Sequence, residues 1–112
     1  MKDLATTIFR QRMVIEGYPA NPITDTQIIN YLSQLSVKLD MVELIKPVTH
    51  RSDLYGWAGW IHWETSGAHF YAWEDPLFFS VDIYTCKEFN PEYALEFTKD
   101  FFKATEVVFK NV

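Results

Sequence analysis

The sequence is poor in the residues that build several common kinds of site. It holds one cysteine, Cys86, so no internal disulfide can form, and its three histidines, His50, His62 and His69, lack the spacing of zinc ligands. Four glycines in 112 residues leave no glycine-rich phosphate loop, and no Ser-His-Asp order is present. No segment reaches the roughly 20 apolar residues of a membrane-spanning helix, and the start, Met1 to Thr7, has no long apolar stretch of the kind that directs secretion. Positive charge is scarce as well: ten basic residues against fifteen acidic ones give a net charge of −5. Gripping a phosphate backbone needs clustered Lys and Arg, so no nucleic-acid partner is expected. Repeats, low-complexity tracts and linkers are missing. The expectation is one soluble, cytoplasmic domain over residues 1–112, large enough to bury a core without staples.

What is abundant is aromatic. Phe, Trp and Tyr make up 17% of the chain and hydrophobic residues 48%. That is more apolar surface than one small core absorbs, and it points to a partner surface or a ligand pocket.

The periodicity predicts eight elements. Ile8 to Gly17 reads as a strand that stops at a turn around Pro19 and Pro22. Thr24-Asp25-Thr26-Gln27 fits a capping box, and Ile28, Tyr31, Leu32, Leu35 and Leu39 follow at helical spacing. Met41 to Val48 reads as a second strand and His50 to Tyr55 as a loop. Three strands joined by short hairpin connections follow, over Gly56 to Thr65, Ala68 to Trp73 and Leu77 to Tyr84. Asn90-Pro91 opens a second helix with Ala94, Phe97, Phe101 and Phe102 on its apolar face, and Val107 to Phe109 closes the chain as a strand.

The order β-α-β-β-β-β-α-β predicts an α+β two-layer sandwich: one antiparallel sheet with both helices on one face. Both faces of the central strands are apolar, however. Trp57, Ile61 and Trp63 alternate with Trp60 and His62, while Phe79, Val81 and Ile83 alternate with Phe78 and Tyr84. Helices cover only one face, so the other is expected to meet a second copy, sheet against sheet, in a homodimer.

From Gly56 onward the residues follow a known pattern. Gly56-Trp57-Ala58-Gly59 resembles G-V-S-G, Ser66 falls at the serine of E-S-H, Tyr71 to Asp75 resembles H-T-W-P-E, Val81 to Cys86 resembles V-D-x-F-T-C, and Pro91 to Lys103 resembles a D-P-x-K-A-x-x-x-L helix. These are motifs of the pyruvoyl-dependent S-adenosylmethionine decarboxylase family, and the chain resembles a divergent member of it. The spacing from Gly56 to Cys86 matches without a gap.

The resemblance implies a function in polyamine biosynthesis and a cofactor made from the chain itself. A serine hydroxyl attacks the preceding carbonyl, elimination and hydrolysis split the chain, and a pyruvoyl group remains to act as an electron sink. Carried over by position, Ser66 is the pyruvoyl precursor and Cys86 the proton donor. Trp73 matches a tryptophan of the family. Asp75, with Glu74 beside it, stands where a glutamate holds the ribose hydroxyls of S-adenosylmethionine or a related nucleoside. Four positions depart: the family's processing serine is Ala58, its processing and catalytic histidine is Tyr71, and the residues flanking the cleaved serine are Thr65 and Gly67. Each proton-transfer residue is worth roughly 10²–10⁴-fold in rate. His69 is the candidate replacement, two residues from Tyr71 on the same strand face and roughly 6.6 Å away. Two readings stand at this point. One is an active pyruvoyl-dependent carboxy-lyase acting on S-adenosylmethionine or a related amino acid. The other, favoured by the four departures, is an unprocessed homologue, weakly active or inactive, that keeps the fold and a binding role.

Overall fold

A computed structural model of the chain describes residues 2–112. Strand β1 (Gln11–Tyr18) leads to helix α1 (Asp25–Lys38). Strands β2 (Val48–Ser52), β3 (Gly56–Trp63), β4 (Ser66–Trp73) and β5 (Phe78–Thr85) follow, then α2 (Pro91–Phe102) and β6 (Glu106–Asn111). The six strands form one sheet in the order β2-β3-β4-β5-β1-β6, and every pairing is antiparallel. The expected sandwich and element order are thus both present.

The helices begin where their caps dictate. Thr24 Oγ1 accepts from the Gln27 N–H at 3.2 Å, and Gln27 Oε1 accepts from the Thr24 N–H at 2.9 Å. At α2 the Asn90 side chain accepts from the Glu92 N–H at 3.0 Å, with Pro91 in the first turn, where its missing N–H costs nothing. α1 lies across β3 and β2, and α2 across β1 and β6, on the same side of the sheet. Between them and the sheet sits a core of Met13, Ile15, Ile61, Phe70, Phe79, Val81 and Ile83 against Ile28, Tyr31, Leu32, Leu35 and Phe102. Gly59 lets α1 come this close, since a Cβ there would stand 2.6 Å from Ile28 Cγ2. Two buried hydroxyl relays fix the packing, the first between sheet and helix and the second between the two helices. Trp63 Nε1–H donates to Ser36 Oγ at 2.7 Å, and Ser36 donates on to the Leu32 carbonyl. Tyr31 Oη and Thr98 Oγ1 are 2.7 Å apart.

One strand lies elsewhere than the hydropathy places it. Of the predicted strand Met41 to Val48, only Val48 is in a strand; the rest pairs with the sheet, among the described residues, through a single bridge between Glu43 and Trp63. The second strand is instead Val48–Ser52, most of which the sequence reads as loop. The reason is its position: β2 is an edge with one neighbour, β3, and both its faces are largely exposed, so it carries Thr49, His50 and Arg51 without a burial cost. No helix is long and apolar enough to cross a membrane among the described residues.

Candidate functional site

Among the described residues no helix or strand packs on the sheet face away from the helices. That face presents Trp60, His62, His69, Tyr71, Trp73, Phe78 and Tyr84, together with the Arg12–Asp82 ion pair, whose two hydrogen bonds measure 2.7 and 3.0 Å. Tyr71 and Tyr84 are each more than 40% exposed there. The two-sided aromatic patterning of the strands is therefore present, and the helices cover one side of it.

Ser66 and Cys86 come together. Ser66 opens β4 opposite Trp63, and its hydroxyl oxygen accepts a hydrogen bond from the Cys86 backbone N–H at 2.9 Å. The turn before it strains the chain: Thr65, the residue whose carbonyl precedes Ser66, has φ of 53°, left-handed backbone that a β-branched residue rarely adopts. Ser66 borders two clefts. One, of about 240 Å³, is lined by Asp40, Met41, Trp63, Glu64, Cys86 and Lys87; the other, of about 310 Å³, by His62, Thr65, Gly67, His69 and Tyr84. In the first cleft the Lys87 ammonium, bonded to Asp40 at 2.9 Å, holds that carboxyl below the usual carboxylate range. In the second the His62 and His69 rings are 6.4 Å apart, with Trp60 tilted against His62 at 4.5 Å.

The remaining predicted residues lie at the far end of the strand. Tyr71 is five residues along β4 from Ser66 and Trp73 is seven, which is roughly 16 and 23 Å at the rise of a strand. Tyr71 stands directly opposite Ala58 on β3 and Ser80 on β5. The two lost family positions are thus cross-strand neighbours. Trp73 leans on Phe78 at 5.4 Å. Glu74 is bound by Arg51 at 2.6 Å, and that guanidinium, by hydrogen bond and charge, keeps the Glu74 carboxyl below its ordinary range. Arg51 also lies over the Trp57 ring, 5.9 Å from its centre. Asp75 joins none of the ion pairs among the described residues. A single cleft holding Ser66, Trp73 and Asp75 therefore does not exist within one chain.

The sequence model of the S-adenosylmethionine decarboxylase family matches residues 11–112. The chain belongs to that family. A solved structure, the adenosylmethionine decarboxylase from Aquifex aeolicus VF5, superposes with a TM-score of 0.73 at 12% sequence identity, covering 94% of this chain and 89% of that one. At that identity the likeness is one of fold. No curated protein sequence matches the chain.

Against the family's chemistry the residues divide. Of the residues that the resemblance assigns to that chemistry, Ser66 and Cys86 are joined through the Cys86 backbone N–H. At the positions where the resemblance expects a serine and a histidine, Ala58 offers a methyl group and Tyr71 a phenol. Gly67 is fixed by packing, since a Cβ there would lie 2.7 Å from the Ile61 carbonyl oxygen, so no side chain enters that position without a backbone shift. The sequence gives His62 no site role, because it sits in a tryptophan-rich strand with no ligand spacing. Only the hairpin register, which sets His62 opposite Gly67 and His69 opposite Trp60, brings the two rings to the Ser66 cleft.

Proposed function

We propose that this S-adenosylmethionine decarboxylase relative stays one uncleaved chain, pairs with a second copy through its uncovered sheet face, and binds S-adenosylmethionine or a related nucleoside without appreciable decarboxylation. The observation that carries the proposal is the Ala58–Tyr71 pair, where two cross-strand positions that the resemblance assigns to proton transfer hold a methyl group and a phenol in place of a serine and a histidine. A pyruvoyl group, where it forms, supplies a carbonyl electron sink for a substrate amine. In this chain Ser66 accepts the Cys86 N–H and steadies the end of the β4–β5 hairpin.

The dimer and the site are linked by distance. The Ser66–Cys86 end and the Tyr71–Asp75 end of β4 are too far apart to act on one ligand in one protomer. A two-fold partner whose β4 runs the opposite way over the uncovered face would lay its Tyr71–Asp75 end over the His62–His69 cleft that Ser66 borders, giving two composite sites per dimer. In such a site Asp75 faces the ligand's ribose and Trp73 forms a wall.

S-adenosylmethionine binding tests the reading. Ligand at a hundredfold excess over its Kd adds about 2.7 kcal/mol of stability, a rise in Tm on the order of 10 °C for a domain of this size. Asp75→Ala should remove the shift. No shift at millimolar S-adenosylmethionine or methylthioadenosine would refute a nucleoside role.

One observation favours the active reading as the alternative: His62 and His69 share a cleft with Ser66. Release of CO₂ from carboxyl-labelled S-adenosylmethionine, lost in His69→Ala, would establish it.

A further inference from the structure

The two edges of the sheet are unlike. The β2 edge is protected: it follows Pro47, spans five residues, and carries His50 and Arg51. The β6 edge, Glu106-Val107-Val108-Phe109-Lys110-Asn111, has no proline or glycine and carries Val108 and Phe109 at 57% and 43% exposure. It pairs only with β1, and among the described residues no hydrogen bond reaches its outer side.

The register says which groups point outward. The Val112 N–H donates to the Arg12 carbonyl at 2.9 Å, so that pair is a bonded one. Bonded pairs recur every second residue in an antiparallel ladder, which assigns Lys110 and Val108 to β1. Val107, Phe109 and Asn111 therefore turn their N–H and C=O groups away from the sheet.

We propose that β6 is a second self-association surface, on which β6 of another copy pairs antiparallel about a two-fold axis through Val108 and continues the sheet across two molecules. Only one register both joins outward groups to outward groups and pairs the charges. It sets Val107 against Phe109 of the copy, twice, as bonded pairs, and Val108 against Val108. On the face away from the helices it sets Glu106 opposite Lys110 of the copy, again twice. Sliding by two residues either way parts every Glu106 from every Lys110. Cross-strand pairs of opposite charge favour a register, and like charges in the same place oppose it. Among the described residues neither Glu106 nor Lys110 joins an ion pair within its own chain. This surface is separate from the uncovered face invoked above; a chain using both would assemble as a tetramer.

Charge exchange on the full chain tests the proposal. Lys110→Glu and Glu106→Lys each place like charges opposite one another at both ends of the ladder, and each should halve the mass seen by sedimentation at tens of micromolar, with dissociation at least tenfold stronger. The double variant Glu106→Lys with Lys110→Glu restores opposite charges and should restore the mass. Hydrogen exchange gives a second readout that needs no variant: the Phe109 amide should be protected at millimolar chain concentration and lose that protection on dilution to micromolar. Assembly indifferent to Lys110→Glu, a double variant that stays dissociated, or a Phe109 amide that exchanges equally fast at both concentrations would overturn the proposal. So would a β6 edge that takes up a strand of another protein in preference to its own copy.

Discussion

Truncating Tyr71 should break the proposed sheet-to-sheet dimer, and the size of the effect follows from exposure. Tyr71 is 44% exposed in the single chain, on the uncovered face. An aromatic side chain buries about 150–250 Å² when fully covered, so on the order of 90 Å² remains for a partner. At about 25 cal/mol/Å² this is about 2 kcal/mol, and a two-fold interface counts it twice. The resulting ~4 kcal/mol is an upper bound, because ordering two tyrosines on association opposes it. Tyr71→Ala should therefore weaken the dimer by roughly 10²–10³-fold. The matched control is Tyr93→Ala, a tyrosine 55% exposed on α2 at the opposite side of the molecule, which should leave association unchanged. Sedimentation equilibrium in the Lys110→Glu background, where the β6 edge no longer contributes, reads both. An unaltered Kd for Tyr71→Ala, or an equal loss for Tyr93→Ala, would refute the argument from two-sided apolar strands.

Three further outcomes follow from local geometry. Burial pushes the Tyr31 phenol well above its usual value, so stability should hold below pH ~10 and fall as the pH rises beyond it, because the unfolded chain sheds that proton first. Thr98 already donates to the Ala94 carbonyl, so Tyr31 is the donor in their contact; Tyr31→Phe should cost about 1 kcal/mol at pH 8 in urea unfolding and flatten the loss between pH 10 and 11. A slope equal to wild type would contradict this. Thr65→Gly relieves roughly 1–2 kcal/mol of left-handed strain and costs roughly 0.5–1 kcal/mol in unfolded-chain freedom, a net gain of about 0.5–1 kcal/mol by the same assay; a loss would place the constraint elsewhere. Ser66→Ala leaves the Cys86 N–H without its acceptor and should cost about 1 kcal/mol, whereas an unchanged denaturation midpoint would deny Ser66 its structural role.

The helices were legible because their signals are local. Thr24 with Gln27, and Asn90 with Pro91, satisfy groups within one turn, and the helices start where those residues stand. The β3, β4 and β5 hairpins were legible because strand alternation and short turns are also local. β2 was not, because an edge strand owes its place to pairing with β3 rather than to its own hydropathy, and Met41 to Lys46 is apolar without being sheet. The site divides in the same way. Motif spacing singled out Ser66 and Cys86, and the β4–β5 register, with Gly67 opposite Tyr84, brings them together. The separation of Ser66 from Trp73 is a matter of strand rise, seven residues along one strand once β4 is known to start at Ser66 rather than at Ala68. His62 joined the site only through the register, and Arg51 was hidden in what read as a loop, although it holds Glu74.

The central claim is that the four departures leave the chain unable to cut itself before Ser66. Intact mass of the purified protein after prolonged incubation at physiological temperature tests it directly. The account predicts one species with the mass of the whole chain and no pyruvoyl group. Fragments 1–65 and 66–112, the latter beginning with a pyruvoyl group in place of Ser66, would contradict it and turn attention to His62 and His69 as the groups that move the protons.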